Sequence, residues 1–316
     1  MHAVILRQLS FGLITVLAVS VIIFAGTTLL PGDAAQIRMG QEATEANVDA
    51  MRERLGLDEP IHVQYVTWLG NFLRGDLGVS LASDVPISTL IADRYRNTLL
   101  VTALTALISL PISLMLGVTA AMYPGSFYDR VLTLSSVSLV AAPEFFTATL
   151  LVLFFVFYFE IGNAVVVGST EGKGFFELIA HFALPIMTLS FAISSQLIRM
   201  SRAAVLNVMS SPYIEMAILK GIPRRRIIFR HALLNAIGPI VNVVALNLAY
   251  LVTGVIVVEV YFSYPGLATL IVQGVQTRDF ALIQSVGMIF CMVYVVLMLL
   301  ADVGATLSNP RLRHPK

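Results

Sequence analysis

Six long runs of apolar residues dominate the chain, near 9–30, 97–121, 131–159, 181–203, 237–260 and 281–303. Each reaches the length of about 20 residues that a helix needs to cross the hydrocarbon of a bilayer. None shows the two-residue alternation of a barrel strand, which would come in runs of about ten. A secretory signal peptide accounts for the first run alone. The pattern predicts an all-α polytopic membrane protein with six transmembrane helices. It also divides the chain: an N-terminus and first helix over 1–30, a long external loop over 31–96, a five-helix core over 97–307 with an internal loop at 204–236, and a tail over 308–316.

Composition sharpens this reading. Of 316 residues, 57% are hydrophobic and only 12% charged, against about 25% charged in a soluble domain. A soluble fold with six such helices would need a polar coat that this chain lacks. The net charge of +1 gives no reason to expect nucleic acid. One cysteine, Cys291, lies in an apolar run and offers neither a disulfide framework nor a thiolate cluster. Five scattered histidines make no nickel cluster.

Charge between the runs gives an orientation. With the N-terminus in the cytoplasm, the cytoplasmic segments hold Arg7, Arg130, Arg199, Arg202, Lys220, Arg224, Arg225, Arg226, Arg230, Arg311, Arg313 and Lys316, twelve of the twenty basic residues. The loop 31–96 collects acidic residues instead, among them Glu42, Glu45, Asp49, Glu53, Asp58 and Glu59. This is the positive-inside asymmetry, although long loops weigh little in it. Six spans return the C-terminus to the cytoplasm as well.

The long loop carries helix signals of its own. Thr44 is placed to cap a helix that runs to Leu55 and stops at Gly56. Asp58 and Pro60 open a second, in which Ile61, Tyr65, Trp68, Leu69 and Phe72 recur at helical spacing. Its aromatic face either packs on the rim of the bundle or anchors at the membrane interface. The glycine-rich segment 160–180 reads as an external turn.

The internal loop is the most ordered polar stretch. Residues 213–236 read YIEMAILKGIPRRRIIFRHALLNA. Basic charge here needs no more explanation than a cytoplasmic location. The order of the residues does. Ser211 and Pro212 are placed to cap and begin a short helix, Lys220 falls in its last turn, and Gly221 lets the backbone reverse. Pro223 opens a second helix, with Arg226 and Arg230 four residues apart on one face. A plain tether needs none of this, whereas a docking surface for a cytoplasmic partner does. DNA-binding helix–turn–helix is excluded because both ends lead into membrane spans.

This loop resembles the cytoplasmic signature of bacterial ABC import permeases, Glu-Ala-Ala, three residues, then Gly. Here the positions are Glu215, Met216, Ala217 and Gly221, with Met216 in place of the middle alanine. The proline that follows Ile-x-Leu in the general pattern is missing. In its place stands RHALLNA, Arg230 to Ala236, which is similar to loops of the peptide and nickel branch. LPGDAA at 30–35, LGLDEP at 55–60, YVTWLGNFLRGDLGVS at 65–80, VIVVEVYFSYPGLATL at 255–270 and the tail Asn309-Pro310-Arg311 fit the same branch. The resemblance spans essentially the whole chain and is nearest the first permease of each pair, the one with the long external loop.

The resemblance implies a type I importer permease fold and a set of partners: a second homologous permease, two ABC ATPases that carry the ATP and magnesium, and an extracytoplasmic solute-binding protein. It makes 212–220 a coupling helix, with Glu215 fixing loop geometry through hydrogen bonds and Ala217 sitting in an ATPase groove. Gly221 is its third signature position. Arg224, Arg225 and Arg226 then meet lipid phosphates or the ATPase rim. Short peptides are the implied substrate, with nickel or another small solute as the alternative. The chain has no GxxxxGK[ST] loop to cradle a phosphate, so ATP hydrolysis belongs to another chain.

Polar residues inside spans are candidates for the translocation path. They are Glu144, Gln196, Asn242 and Asn247. Each can equally knit helices together. An ion-coupled secondary transporter would share such residues but would more often show an inverted repeat. A channel or scaffold would share them too. Neither needs the order seen around Glu215 and Gly221.

Overall fold

The computed structural model describes residues 2–29, 34–39, 44–166, 168, 170 and 172–308. The tail signature at 309–311 and most of the LPGDAA stretch lie outside them. Among the described residues, regular structure is helical throughout, apart from one isolated bridge between Val79 and Pro86. The order is α1 (His2–Thr28), α2 (Ala34–Met39), α3 (Glu45–Leu55), α4 (Ile61–Leu73), α5 (Ile87–Met122), α6 (Phe127–Ala141), α7 (Glu144–Leu151), α8 (Phe175–His181), α9 (Ala183–Met209), α10 (Pro212–Leu219), α11 (Arg224–Ile227), α12 (Leu233–Tyr261), α13 (Leu267–Thr277) and α14 (Phe280–Ser308). Short π-helical stretches, Val152–Tyr158 and Ile228–Ala232, follow α7 and α11.

Among the described residues, five helices are long and apolar enough to cross a membrane: Leu6–Thr28, Ile87–Met122, Ala183–Met209, Arg225–Tyr261 and Phe280–Gly304. A sixth span requires counting Phe127–Ala141 and Glu144–Tyr158 together, and these are bent by 109°. The apolar run at 131–159 is therefore not a straight helix. Pro143 has no amide proton to donate to the helix before it and pushes its predecessor out of helical space. Ala142 is accordingly extended, at φ −84° and ψ 123°. Pro111 and Pro239 are instead absorbed within α5 and α12.

The chain packs as two compact units. One comprises Met1–Leu9, Leu100–Tyr264 and Val296–Lys316, and the other Ser10–Leu99 and Pro265–Val295.

In the second unit, α5 begins at Ile87, well before the apolar run at 97, because Ile87 and Ile91 bury against Leu267, Leu270, Leu282 and Val286. The charges at Arg94 and Arg96 mask this face in the sequence. The buried Asp279 carboxylate accepts from the Ser80 hydroxyl at 2.5 Å and from the amides of Ala82 and Leu282 at 3.3 and 3.1 Å. The turn before α5 is thereby tied to the start of α14. Helix α3 ends as expected at Gly56, whose φ of 66° suits glycine. Thr44 precedes α3 in extended geometry but makes no side-chain capping bond. The aromatic face of α4 takes the rim-packing alternative: Tyr65 and Trp68 pack on Phe24 of α1 at 5.4 and 5.6 Å, and Tyr65 shares a 2.7 Å hydrogen bond with Ser20.

In the first unit, α9 lies against α6, α7 and α12. Small polar residues draw α5 close to α9. Ser109 donates to Ser190 at 2.6 Å and Ser113 to Ser194 at 2.7 Å. One turn on, a Cβ added at Gly117 would lie 2.0 Å from Ser201 Oγ and 2.7 Å from the Ile198 carbonyl. Only glycine permits that approach, the small-residue packing that holds membrane helices together. Arg202 of α9 grips Asp129 of α6 with Nε at 2.5 Å and Nη2 at 2.7 Å. Asp129 also accepts from the Gly125 amide at 2.8 Å, fixing the turn between α5 and α6.

Candidate coupling loop and intramembrane polar groups

The loop after α9 is a packed unit of its own. Pro212 opens α10 at its first position, where its missing amide proton is not needed. Ser211 is the extended residue before it, but its hydroxyl donates back to the Val208 carbonyl at 2.5 Å instead of capping α10. At the other end Gly221 takes a φ of 72°, and the Ile222 amide returns to the Ala217 carbonyl at 3.2 Å. Pro223 then leads into α11. Ile214 and Ala217 of α10 bury against Ile227 and Ala232, with Val208, Met209 and Ile222 around them.

This packing decides which side chains of the loop are covered. Ala217 is only 9% exposed and faces the loop's own core, so its side chain does not present itself to a partner's groove. The opposite face is uncovered: Tyr213, Met216, Ile218 and Leu219 are 46%, 55%, 55% and 75% exposed. Glu215 is exposed, and among the described residues its carboxylate makes no hydrogen bond. It stands in the first turn of α10, where a negative charge complements the helix dipole. Gly221 sits where the sequence puts it. Arg224 begins α11, and Arg225, Arg226 and Arg230 are exposed. The π-helical stretch Ile228–Ala232 intervenes before Arg230, so Arg226 and Arg230 are not a plain one-turn pair.

The intramembrane candidates divide. Glu144 opens α7 just past the 109° bend and accepts a hydrogen bond from the Tyr250 hydroxyl of α12 at 2.7 Å. Gly254 makes room for it, since a Cβ there would lie 3.0 Å from Glu144 Oε1 and 3.6 Å from Leu189 Cδ2 of α9. Asn247 is buried, donating to the Val243 carbonyl of its own helix at 2.8 Å, while its Oδ1 has no partner among the described residues. Asn242 is exposed and Gln196 half-buried. No hydrogen bond joins any two of these four among the described residues. Among the described residues there is also no group of three or more His, Cys, Asp or Glu side chains that could hold a metal ion.

Sequence reasoning missed Tyr250 and Gly254, which become informative only once α12 is laid against α7. It also missed the Asp129–Arg202 pair. The available signal was an acidic residue at the start of one apolar run and an arginine at the end of another.

Comparison with known proteins covers both ends of the chain. Residues 113–314 match the model of the binding-protein-dependent transport system inner membrane component, and residues 1–102 match that of the corresponding N-terminal membrane component. The chain is 35% identical over 315 residues to the probable peptide ABC transporter permease protein y4tP of Sinorhizobium fredii, covering 99% of this chain and 100% of that one. It is 33% identical over 300 residues to the glutathione transport system permease protein GsiC of Escherichia coli, covering 95% of each. The GsiC protein of Salmonella typhimurium gives the same identity and coverage.

Proposed function

We propose that this chain, which belongs to the family of binding-protein-dependent transport system inner membrane components, forms half of a translocation path for short peptides or glutathione-like compounds. Family membership makes it a multi-pass inner-membrane permease subunit of an ABC importer, a transport chain and not an enzyme. The substrate class is inferred from relatives named for peptide and glutathione transport.

In this reading both termini are cytoplasmic, and a second homologous permease completes the pore. Two ATPases carry the ATP and magnesium, and an external binding protein delivers the solute. ATP binding closes the ATPase pair and opens the permeases outward; hydrolysis and product release reset them. The observation that carries the coupling role is the two-faced helix α10. Its inner face is packed on Ile227 and Ala232, and its outer face leaves Tyr213, Met216 and Leu219 uncovered. An apolar patch on a braced turn is suited to docking a protein and transmitting displacement. Arg225 and Arg226 flank it and suit acidic groups or lipid phosphates at its edge.

The test is purification in mild detergent with identification of every retained chain, followed by reconstitution with the binding protein and assay of uptake. Retention of a second permease and ATPases, with ATP-dependent uptake of tri-alanine, supports the reading. A folded chain that retains no ATPase and transports on an ion gradient contradicts it.

A further inference from the structure

Glu144 is the only charged residue between 131 and 159. It sits in an apolar span, and its carboxylate receives one neutral donor, the Tyr250 hydroxyl at 2.7 Å. A single phenol and the partial positive charge at the start of α7 do not replace the opposite charge that a carboxylate held away from water normally requires. The helices packed on α7 are α9 and α12. On α9 the charged residues are Arg199 and Arg202. Leu189 marks the level of the Glu144 site on that helix, so Arg199 lies ten residues, or about 15 Å, further along it. Arg202 is further still and is already committed to Asp129. The charged residue of α12 is Glu259, of the same sign. Among its described residues, the first unit therefore places no cation at this carboxylate.

We infer that Glu144 and Tyr250 form a subsite for a cationic amino group of the transported solute, with Glu144 as a specificity-determining residue. Three features fit this role besides the missing counter-charge. The carboxylate stands at a break in a span, the kind of element around which secondary transporters build their substrate and ion sites. Gly254 lets α12 come close to the carboxylate, since a Cβ there would lie 3.0 Å from Oε1. Tyr250 is 41% exposed and offers an aromatic ring beside the carboxylate, a surface that attracts ammonium groups. The chemistry selected is a primary ammonium such as a peptide's free amino terminus. The inference rests on the peptide-importer reading above.

The experiment uses the assembled transporter with its binding protein in proteoliposomes, and tri-alanine as the probe. Glu144→Gln is expected to lower tri-alanine uptake at least about tenfold, the effect of removing one charge-assisted contact, with assembly and ATP hydrolysis retained. Tyr250→Phe keeps the ring and the carboxylate and is expected to cost less than about threefold. If the two residues merely hold α7 to α12, Glu144→Gln keeps an acceptor for the Tyr250 hydroxyl while Tyr250→Phe removes the donor, so Tyr250→Phe loses at least as much uptake as Glu144→Gln, which overturns the inference. Equal uptake by Glu144→Gln and the parent overturns it too, and so does loss of the second permease from the Glu144→Gln assembly, which assigns the missing cation to that chain. Should the parent assembly fail to take up tri-alanine at all, the peptide reading itself falls and takes the subsite with it. A parent that transports beside an unaffected Glu144→Gln variant removes the subsite alone.

Discussion

Asp129 and Glu144 lie in the two halves of the same bent span, and the protein treats them in opposite ways. Asp129 is 3% exposed and is held by both nitrogens of a guanidinium fork, a backbone amide and its own helix start. Glu144 is half-buried, also stands in the first turn of its helix, and among the described residues receives a single phenol. The first arrangement satisfies a charge completely and fixes geometry. The second leaves a charge without a cation among the described residues of its own unit. An acidic residue in a membrane helix thus reads as structural or functional according to what its partner supplies, and not by its presence in the span.

The contrast can be broken from the structural side first. Arg202→Met strands a buried carboxylate, and removing one member of such a pair costs about 3 kcal/mol, the lower end of the range because Arg202 is itself 26% exposed. The thermal unfolding midpoint in detergent should fall further than it does for Gly254→Ala or His181→Phe. Exchanging the two charges, Asp129→Arg with Arg202→Asp, should recover part of it. A midpoint unchanged by Arg202→Met would show that water or lipid already screens the pair.

Gly254→Ala sharpens the other side. The added methyl meets the movable end of Glu144 and not backbone, and alanine is the better helix former by about 1 kcal/mol. Thermal stability should therefore change by less than about 1 kcal/mol while tri-alanine uptake falls severalfold. A matching fall in both would return Glu144 to a packing role.

The smallest effect concerns a group outside the spans. On α8, burial and the nearby Lys173 ammonium both hold the His181 imidazole below its ordinary value of 6.5. Its Nδ1 lies 3.0 Å from Lys173 Nζ, and its Nε2 is buried without a partner among the described residues. A depressed value means stability that is present above pH 6.5 and is lost as pH falls through the lower folded value. A modest drop in unfolding midpoint below that pH, absent in His181→Phe, is the expected result.

Much of this was legible in advance. Hydropathy alone located five straight spans, because a helix crossing lipid must be apolar over its whole length. Ser211, Pro212, Gly221 and Pro223 marked the ends of the loop helices, since their backbone constraints act locally. What stayed hidden depends on packing. An eight-residue helix with Ile214, Ala217, Ile218 and Leu219 does not announce which of them faces inward. The bend at Ala142 and Pro143 was concealed by an unbroken apolar run, because lipid-facing residues look alike whether their helix is straight or broken. Asp129 and Arg202 are 73 residues apart, and only the fold joins them.

The coupling role of α10 is the central claim, and cross-linking addresses it most directly. In a Cys291→Ala background, Leu219→Cys and Ala217→Cys would each be tested in the purified assembly for disulfide formation with cysteines placed along the ATPase surface. Efficient linkage is expected from Leu219, which is 75% exposed, and little from Ala217, which is 9% exposed. Linkage from Ala217 with none from Leu219, in an assembly that retains its ATPases, would contradict it.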